Sequence, residues 1–191
     1  MSEFLKFLVV ALLQYLLVIA FLLRVILPLV RANMRNQLSQ AVMRVTNPLV
    51  LPLRKFLPPI GRVDTASIVA LLLVQLTVVI LLNLIDGYIG SPGMIALRVL
   101  QFLLESILRF YTFAIVIYVL LGWVAPQTYS PANDLLSSLC EPILRPVRRL
   151  IPPIAGLDLT PVFVLIFLQA LLLFALPAFI GMLADVMLGR P

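Results

Sequence analysis

The sequence predicts an all-α membrane protein, with four transmembrane helices arranged as two tandem helix–amphipathic linker–helix repeats in parallel orientation. Three observations carry that prediction. Hydrophobic residues make up 63% of the chain and charged residues 12%, with a mean hydropathy of +1.16, both far from globular averages. Apolar runs near or above about 18 residues recur, the length that crosses roughly 30 Å of hydrocarbon, and they lack the polar face of a soluble helix. Finally, the stretch Asn47–Asp64, NPLVLPLRKFLPPIGRVD, returns 94 residues later at Glu141–Asp158 as EPILRPVRRLIPPIAGLD.

Residues 4–30 form the first span. Its leading segment balances Lys6 against Glu3, its apolar stretch is longer than a signal peptide needs, and no small-x-small site closes it, so an uncleaved helix is expected. Leu5 to Leu23 already supplies a full span, which places Arg24 at the membrane interface with Arg31 and Arg35 behind it. Leu38, Ala41, Val42 and Val45 then follow helical spacing, as in an amphipathic helix lying in the interface plane. The second span covers 66–85, and Asp86-Gly87 with Gly90-Ser91-Pro92-Gly93 marks a turn. A third helix starts near Met94; its span is placed at 107–124, with 94–109 carrying Arg98, Gln101, Glu105 and Arg109 on one face as a tilted or projecting extension. The fourth span covers 160–182. The two units are therefore 1–93 and 94–191.

Each unit crosses twice, so the copies point the same way, related by an axis along the membrane normal. The linkers 31–65 and 125–159 carry Arg31, Arg35, Arg44, Arg54, Lys55, Arg62, Arg145, Arg148 and Arg149. The opposite side has Lys6, Arg98 and Arg190, with Arg109 near it. Positive charge on short loops favours the cytoplasm, which puts the linkers there and both termini outside a bacterial inner membrane.

Within the repeated stretch, Asn47 suits an N-cap and Pro48 a first helical position. Pro52 and Pro146 bend the segment, and the pairs Pro58-Pro59 and Pro152-Pro153 halt it. Leu49, Val50, Leu53, Phe56 and Leu57 share one face in the first copy, as Ile143, Leu144, Val147, Leu150 and Ile151 do in the second. Arg54, Lys55, Arg145, Arg148 and Arg149 project from the other side, where they can hold anionic lipid headgroups or dock a cytoplasmic or membrane protein partner. Asp64 and Asp158 read as caps of the following helices, or as ion-pair partners of Arg54 and Arg148. Gln75 and its equivalent Gln169 sit near mid-membrane, where helix-to-helix hydrogen bonding is the ordinary use and a substrate or ion path the alternative.

Function classes narrow further. There is no histidine, and Cys140 is the lone cysteine, so neither a disulfide nor a Cys/His metal site is expected. No phosphate-binding glycine loop, clustered carboxylates or nucleophile–base couple is present. No catalytic, cofactor-binding or metal-ligating residue is therefore assigned. The net charge of +6 does not point to nucleic acid, because the basic residues flank apolar spans and the aromatic platforms of single-strand binders are missing. A four-helix bundle this thin suits self-association.

The doubled pattern resembles the YggT family, called YlmG in its single-repeat form. The matching residues are Pro48, Pro52, Arg54, Lys55, Pro58, Pro59 and Asp64, then Pro142, Pro146, Arg148, Arg149, Pro152, Pro153 and Asp158. The resemblance implies a small integral membrane protein without catalytic residues, in a family linked to cell or plastid division, nucleoid organisation, cofactor maturation on a cytochrome and osmotic tolerance.

Overall fold

The computed structural model describes residues 2–61, 63–88, 90–124, 130–151 and 158–189. Among these residues the chain forms six helices, and an isolated bridge pairs Ile60 with Val63. Helix α1 (Glu3–Leu29) crosses first, its middle part Val9–Val18 wound as π-helix. Helix α2 (Gln37–Arg54) folds across the end of the bundle, and α3 (Thr65–Asp86) crosses back. Gly87 closes α3 with φ +67°, a left-handed conformation that only glycine adopts without strain. The second unit repeats the plan with α4 (Pro92–Val124), α5 (Pro131–Leu150) and α6 (Thr160–Leu188). Helices α1, α3, α4 and α6 are long and apolar enough to cross a membrane.

Packing joins the units through their middle. Helix α3 lies between α1 and α4, while α6 packs on α4 and α5. Small buried residues on α3, namely Ala66, Ser67 and Ala70, let neighbouring backbones come close. The first core combines Phe21, Leu22 and Leu27 of α1, Val50 of α2 and Leu71 and Val78 of α3 with Leu135 and Leu139 of α5. The second unit's linker helix thus completes the first unit's core. A second cluster gathers Ala114 and Ile115 of α4, Cys140 and Leu144 of α5, and Val164 and Leu168 of α6. Large apolar side chains such as Phe113 and Phe174 point outward, as suits lipid-facing helices.

Three departures from the sequence reading have physical causes. Helix α4 forms a single rod whose apolar span is Pro92–Gly122 rather than 107–124. Its first half is not a free stalk, because Leu97 is buried and Arg98 donates to Asn83 of α3. Helix α2 begins at Gln37 under the Asn36 side chain, which accepts from Leu38 N at 3.0 Å, so Asn47 caps nothing. The helix runs unbroken through Pro48 and Pro52, and α5 runs likewise through Pro142 and Pro146. These prolines sit four apart on exposed faces, so their rings meet no neighbouring helix. On α2, Leu38, Ala41 and Val45 face outward, whereas Ser39, Thr46 and Val50 turn inward. The bundle-facing side of α2 is thus partly polar, and its interior partner explains why.

Leu139 tests the cross-unit core. Leu139→Ala should cost about 2–5 kcal/mol of thermal stability in detergent or nanodiscs, whereas Phe113→Ala, at a site 72% exposed, should be nearly neutral.

Candidate functional site

The polar interior of the linker side is built around Arg24. Rather than reaching to the interface, this residue is 2% exposed. Its Nε donates to Ser67 Oγ at 3.1 Å, and its Nη1 donates to Thr46 Oγ1 at 2.9 Å, Asn47 Oδ1 at 2.8 Å and the Met43 carbonyl at 3.3 Å. Burying a guanidinium is costly unless oxygens replace its water, and here α2 and α3 supply them. Ser67 Oγ in turn donates to Asp64 Oδ2 at 2.7 Å, and Arg54 donates to the same carboxylate oxygen. One chain of hydrogen bonds therefore ties α1, α2 and α3. Thr65 adds to it, its hydroxyl donating to the Pro58 carbonyl at 2.7 Å, which fixes the segment after α2 against the start of α3.

The second unit keeps the plan and exchanges its charges. Tyr118 stands where Arg24 does, and Glu141 where Asn47 does. Tyr118 Oη donates to Glu141 Oε1 at 3.3 Å; Arg148 Nη1 donates to Glu141 Oε1 at 3.1 Å, and its Nε to Asp158 Oδ2 at 2.9 Å. The first cluster combines two cations with one carboxylate, the second one cation with two carboxylates. In both, the first basic residue of the doublet is latched to the Asp ten positions later.

Electrostatics follow this geometry. Burial alone would raise the Asp64 carboxyl, but the Ser67 hydroxyl, the Arg54 bond and the charges of Arg54 and Arg24 hold it below the usual carboxylate range. At Asp158 burial is again overcome, by the Thr160 contacts and by Arg148. Arg148 is raised: partial burial opposes its charge, yet Glu141 and Asp158 more than compensate. Of the two aspartates, Asp158 also accepts from a backbone N–H, that of Thr160 at 3.0 Å, as a helix cap would. Asp64 makes no such bond from its side chain. Burial and the nearby Glu141 push the Cys140 thiol up to about 12, which suits packing rather than reaction.

The sequence-selected cations thus divide. Arg54 and Arg148 are committed to the latches, while Lys55, Arg145 and Arg149 are exposed with no ion pair among the described residues. Beside two of them stand repeat-equivalent apolar side chains, Phe56 at 82% and Leu150 at 80% exposure. Pro48, Pro52, Pro142 and Pro146 lie within the linker helices, and Pro58 and Pro59 follow α2 on the surface. Pro152, Pro153 and Arg62 lie outside the described residues.

Mid-membrane, the two glutamines part company. Gln75 is fully buried and donates to Gln14 Oε1 at 3.1 Å, and Gln14 Nε2 donates to Ser106 Oγ at 2.7 Å. This bridge links α1, α3 and α4. Next to it lies a cavity of about 110 Å³ bordered by Gln14, Tyr15, Glu105, Ser106 and Arg109. Gln169, expected to act the same way, is instead exposed on α6. Its equivalent of Gln14 is Leu108, so no amide partner awaits it in its own unit.

Sequence reasoning misplaced Arg24 at the interface and missed Thr46, Ser67, Tyr118 and Glu141. A signal was present in the repeat: where Arg24 becomes Tyr118, Asn47 becomes Glu141, so a lost cation accompanies a gained anion. Among the described residues, no cluster of metal-ligating side chains is found.

A family model described as CCB3/YggT matches residues 3–85 and again 97–179. An uncharacterized protein of Pseudomonas aeruginosa is 43% identical over 162 residues, covering 81% of this chain and 79% of its own. The Escherichia coli K12 protein YggT, also uncharacterized, is 29% identical over 78% of each chain, and an uncharacterized protein of Vibrio alginolyticus is 31% identical over 80% of this chain and 83% of its own. No solved structure matches the chain.

Removing the central cation should be costly. Arg24→Met strands the oxygens of Thr46, Asn47 and Ser67 and should lower stability by about 2–4 kcal/mol; Arg24→Lys should recover little, because an ammonium cannot span the same acceptors. Tyr118→Phe should cost about 1 kcal/mol. Asp64, whose folded pKa is depressed, contributes stability that is present above the unfolded carboxylate pKa of about 3.9 and is lost as pH falls through its lower folded value. Acid melting curves should therefore flatten in Asp64→Asn; an unchanged pH slope would remove Asp64 from the account.

Proposed function

The chain belongs to the CCB3/YggT family of membrane proteins, and from that premise we propose a non-enzymatic scaffold or assembly factor of the bacterial inner membrane. Its two linker helices lie at the cytoplasmic surface, hold anionic lipid and present a basic face to a protein partner. The observation that carries this reading is the repeated pairing of an exposed cation with an exposed apolar side chain, Lys55 with Phe56 and Arg149 with Leu150. An isolated large apolar group is unremarkable on a membrane protein. Placed twice at the end of a basic helix, it suits a wedge among acyl chains with the cation at phosphate level.

The polar interior supports the same reading. Arg24, Arg54 and Arg148 are each held by side chains of their own unit. They fix the linker helices against the spans and leave Lys55, Arg145 and Arg149 for outside contacts. A rigid, basic, membrane-parallel surface is what a lipid-holding platform requires.

The test uses the full chain with Lys55→Glu, Arg145→Glu and Arg149→Glu combined, the latch residues untouched. In vesicles, Phe56→Trp in a Trp123→Phe background serves as reporter, quenched by lipids brominated high on the acyl chain. Quenching should be stronger with anionic than zwitterionic brominated lipid, and the triple reversal should cut that preference on the order of tenfold or more, at about 1 kcal/mol per cation. An unchanged preference would sink the lipid role. Photo-crosslinkers at positions 55 and 149 in cells should capture a protein whose band disappears in the triple variant; persistence of the band would sink the docking role.

A further inference from the structure

The chain contains one complete seam between units and, on its two outer faces, the two halves of another. At the inner seam, α3 buries the stripe Gln75, Val79 and Asn83, with Val79 0% exposed and Asn83 bonded by Arg98 of α4. The equivalent stripe on α6 is Gln169, Leu173 and Pro177. All three are exposed, Leu173 at 62%. Helix α6 packs on α4 and α5 and has no substantial packing with α1 or α3 among the described residues.

The complementary half lies on α1. At the inner seam α4 offers Arg98 to Asn83, Ser106 to Gln14, and Phe110 to the first unit's core. Their equivalents on α1 are Phe4, Leu12 and Leu16, exposed at 64%, 55% and 64%. Two units related about the membrane normal with α6 closing onto α1 would bury both stripes. This bundle does not close, so each stripe remains open.

We propose that a second copy of this chain covers them, the α6 face of one copy packing head-to-tail on the α1 face of the next as α3 packs on α4 within the chain. The polar bonds of the inner seam have apolar replacements here, Pro177 for Asn83, Phe4 for Arg98 and Leu12 for Ser106, so side-chain packing carries the contact. Gln169 is the exception, an exposed amide near mid-membrane, where a bare polar group is unfavourable. Tyr15, 52% exposed, one turn from Leu12 and next to Leu16 in the chain, brings the hydroxyl that α1 offers at that depth. Such an interface is heterologous, and repetition builds a ring or a row rather than a closed pair. The inference is independent of what the linker helices hold.

The experiment co-expresses two full-length chains with different tags, both Cys140→Ser, one carrying Leu12→Cys and the other Gln169→Cys, and treats native membranes with a short thiol-to-thiol crosslinker. The mixed pair should give at least tenfold more dimer than either cysteine alone, and a chain carrying both cysteines should give a ladder. A second pair, Phe4→Cys with Pro177→Cys, guards against local misfolding at the first; linkage by either pair supports the proposal. Dimers from Gln169→Cys alone at equal yield would show two-fold pairing and overturn it. So would failure of both pairs to exceed a lipid-facing control at Phe113→Cys.

Discussion

A guanidinium shut away from water remains in place only where oxygens surround it, and that requirement at Arg24 shapes the linker side of this protein. Its four acceptors come from α2 and from the first turn of α3. The inward face of the linker helix must therefore carry Thr46 and Asn47, and α3 must begin with small polar residues. Once those are placed, Ser67 passes the interaction to Asp64, and Asp64 takes the Arg54 latch. The linker helix α2 is fixed at its middle and its end by the same network. In hydrocarbon, apolar burial offers little drive for helices to associate, so directional bonds of this kind carry more of the task of specifying a fold.

The second unit shows that the constraint lies in the network rather than in any one charge. Tyr118 removes the buried cation and Glu141 supplies the anion that Arg148 then pairs with. The latch between Arg148 and Asp158 survives the exchange. Two linkers over clusters of opposite net charge are thereby each latched to the span that follows, and each presents an exposed cation and an exposed apolar group. The posture is common to both halves, while the charges beneath diverge.

Much of the architecture was legible from composition, span length and the 94-residue repeat, because crossing a membrane leaves few backbone solutions. The latch was half visible, since Arg54 with Asp64 and Arg148 with Asp158 recur at one spacing. Three features were not legible, each for a tertiary reason. Arg24 read as an interfacial residue because nothing local announces that two later helices will close over it. Asn47 before Pro48 has the sequence form of a cap, yet the helix had already begun at Gln37, and exposed prolines did not break it. Gln169 matches Gln75 in sequence but is exposed, because among the described residues no helix covers that face of α6, and a repeat position means burial only when another helix packs on it.

The Arg–Asp latches hold the linker helices as coupled pairs. A double-mutant cycle on Arg54→Ala and Asp64→Ala, followed by thermal unfolding in nanodiscs and repeated with Arg148→Ala and Asp158→Ala, measures that coupling directly. The double variants should recover about 0.5–3 kcal/mol relative to the sum of the single losses in both units. Losses that simply add, to within about 0.3–0.5 kcal/mol, would contradict it.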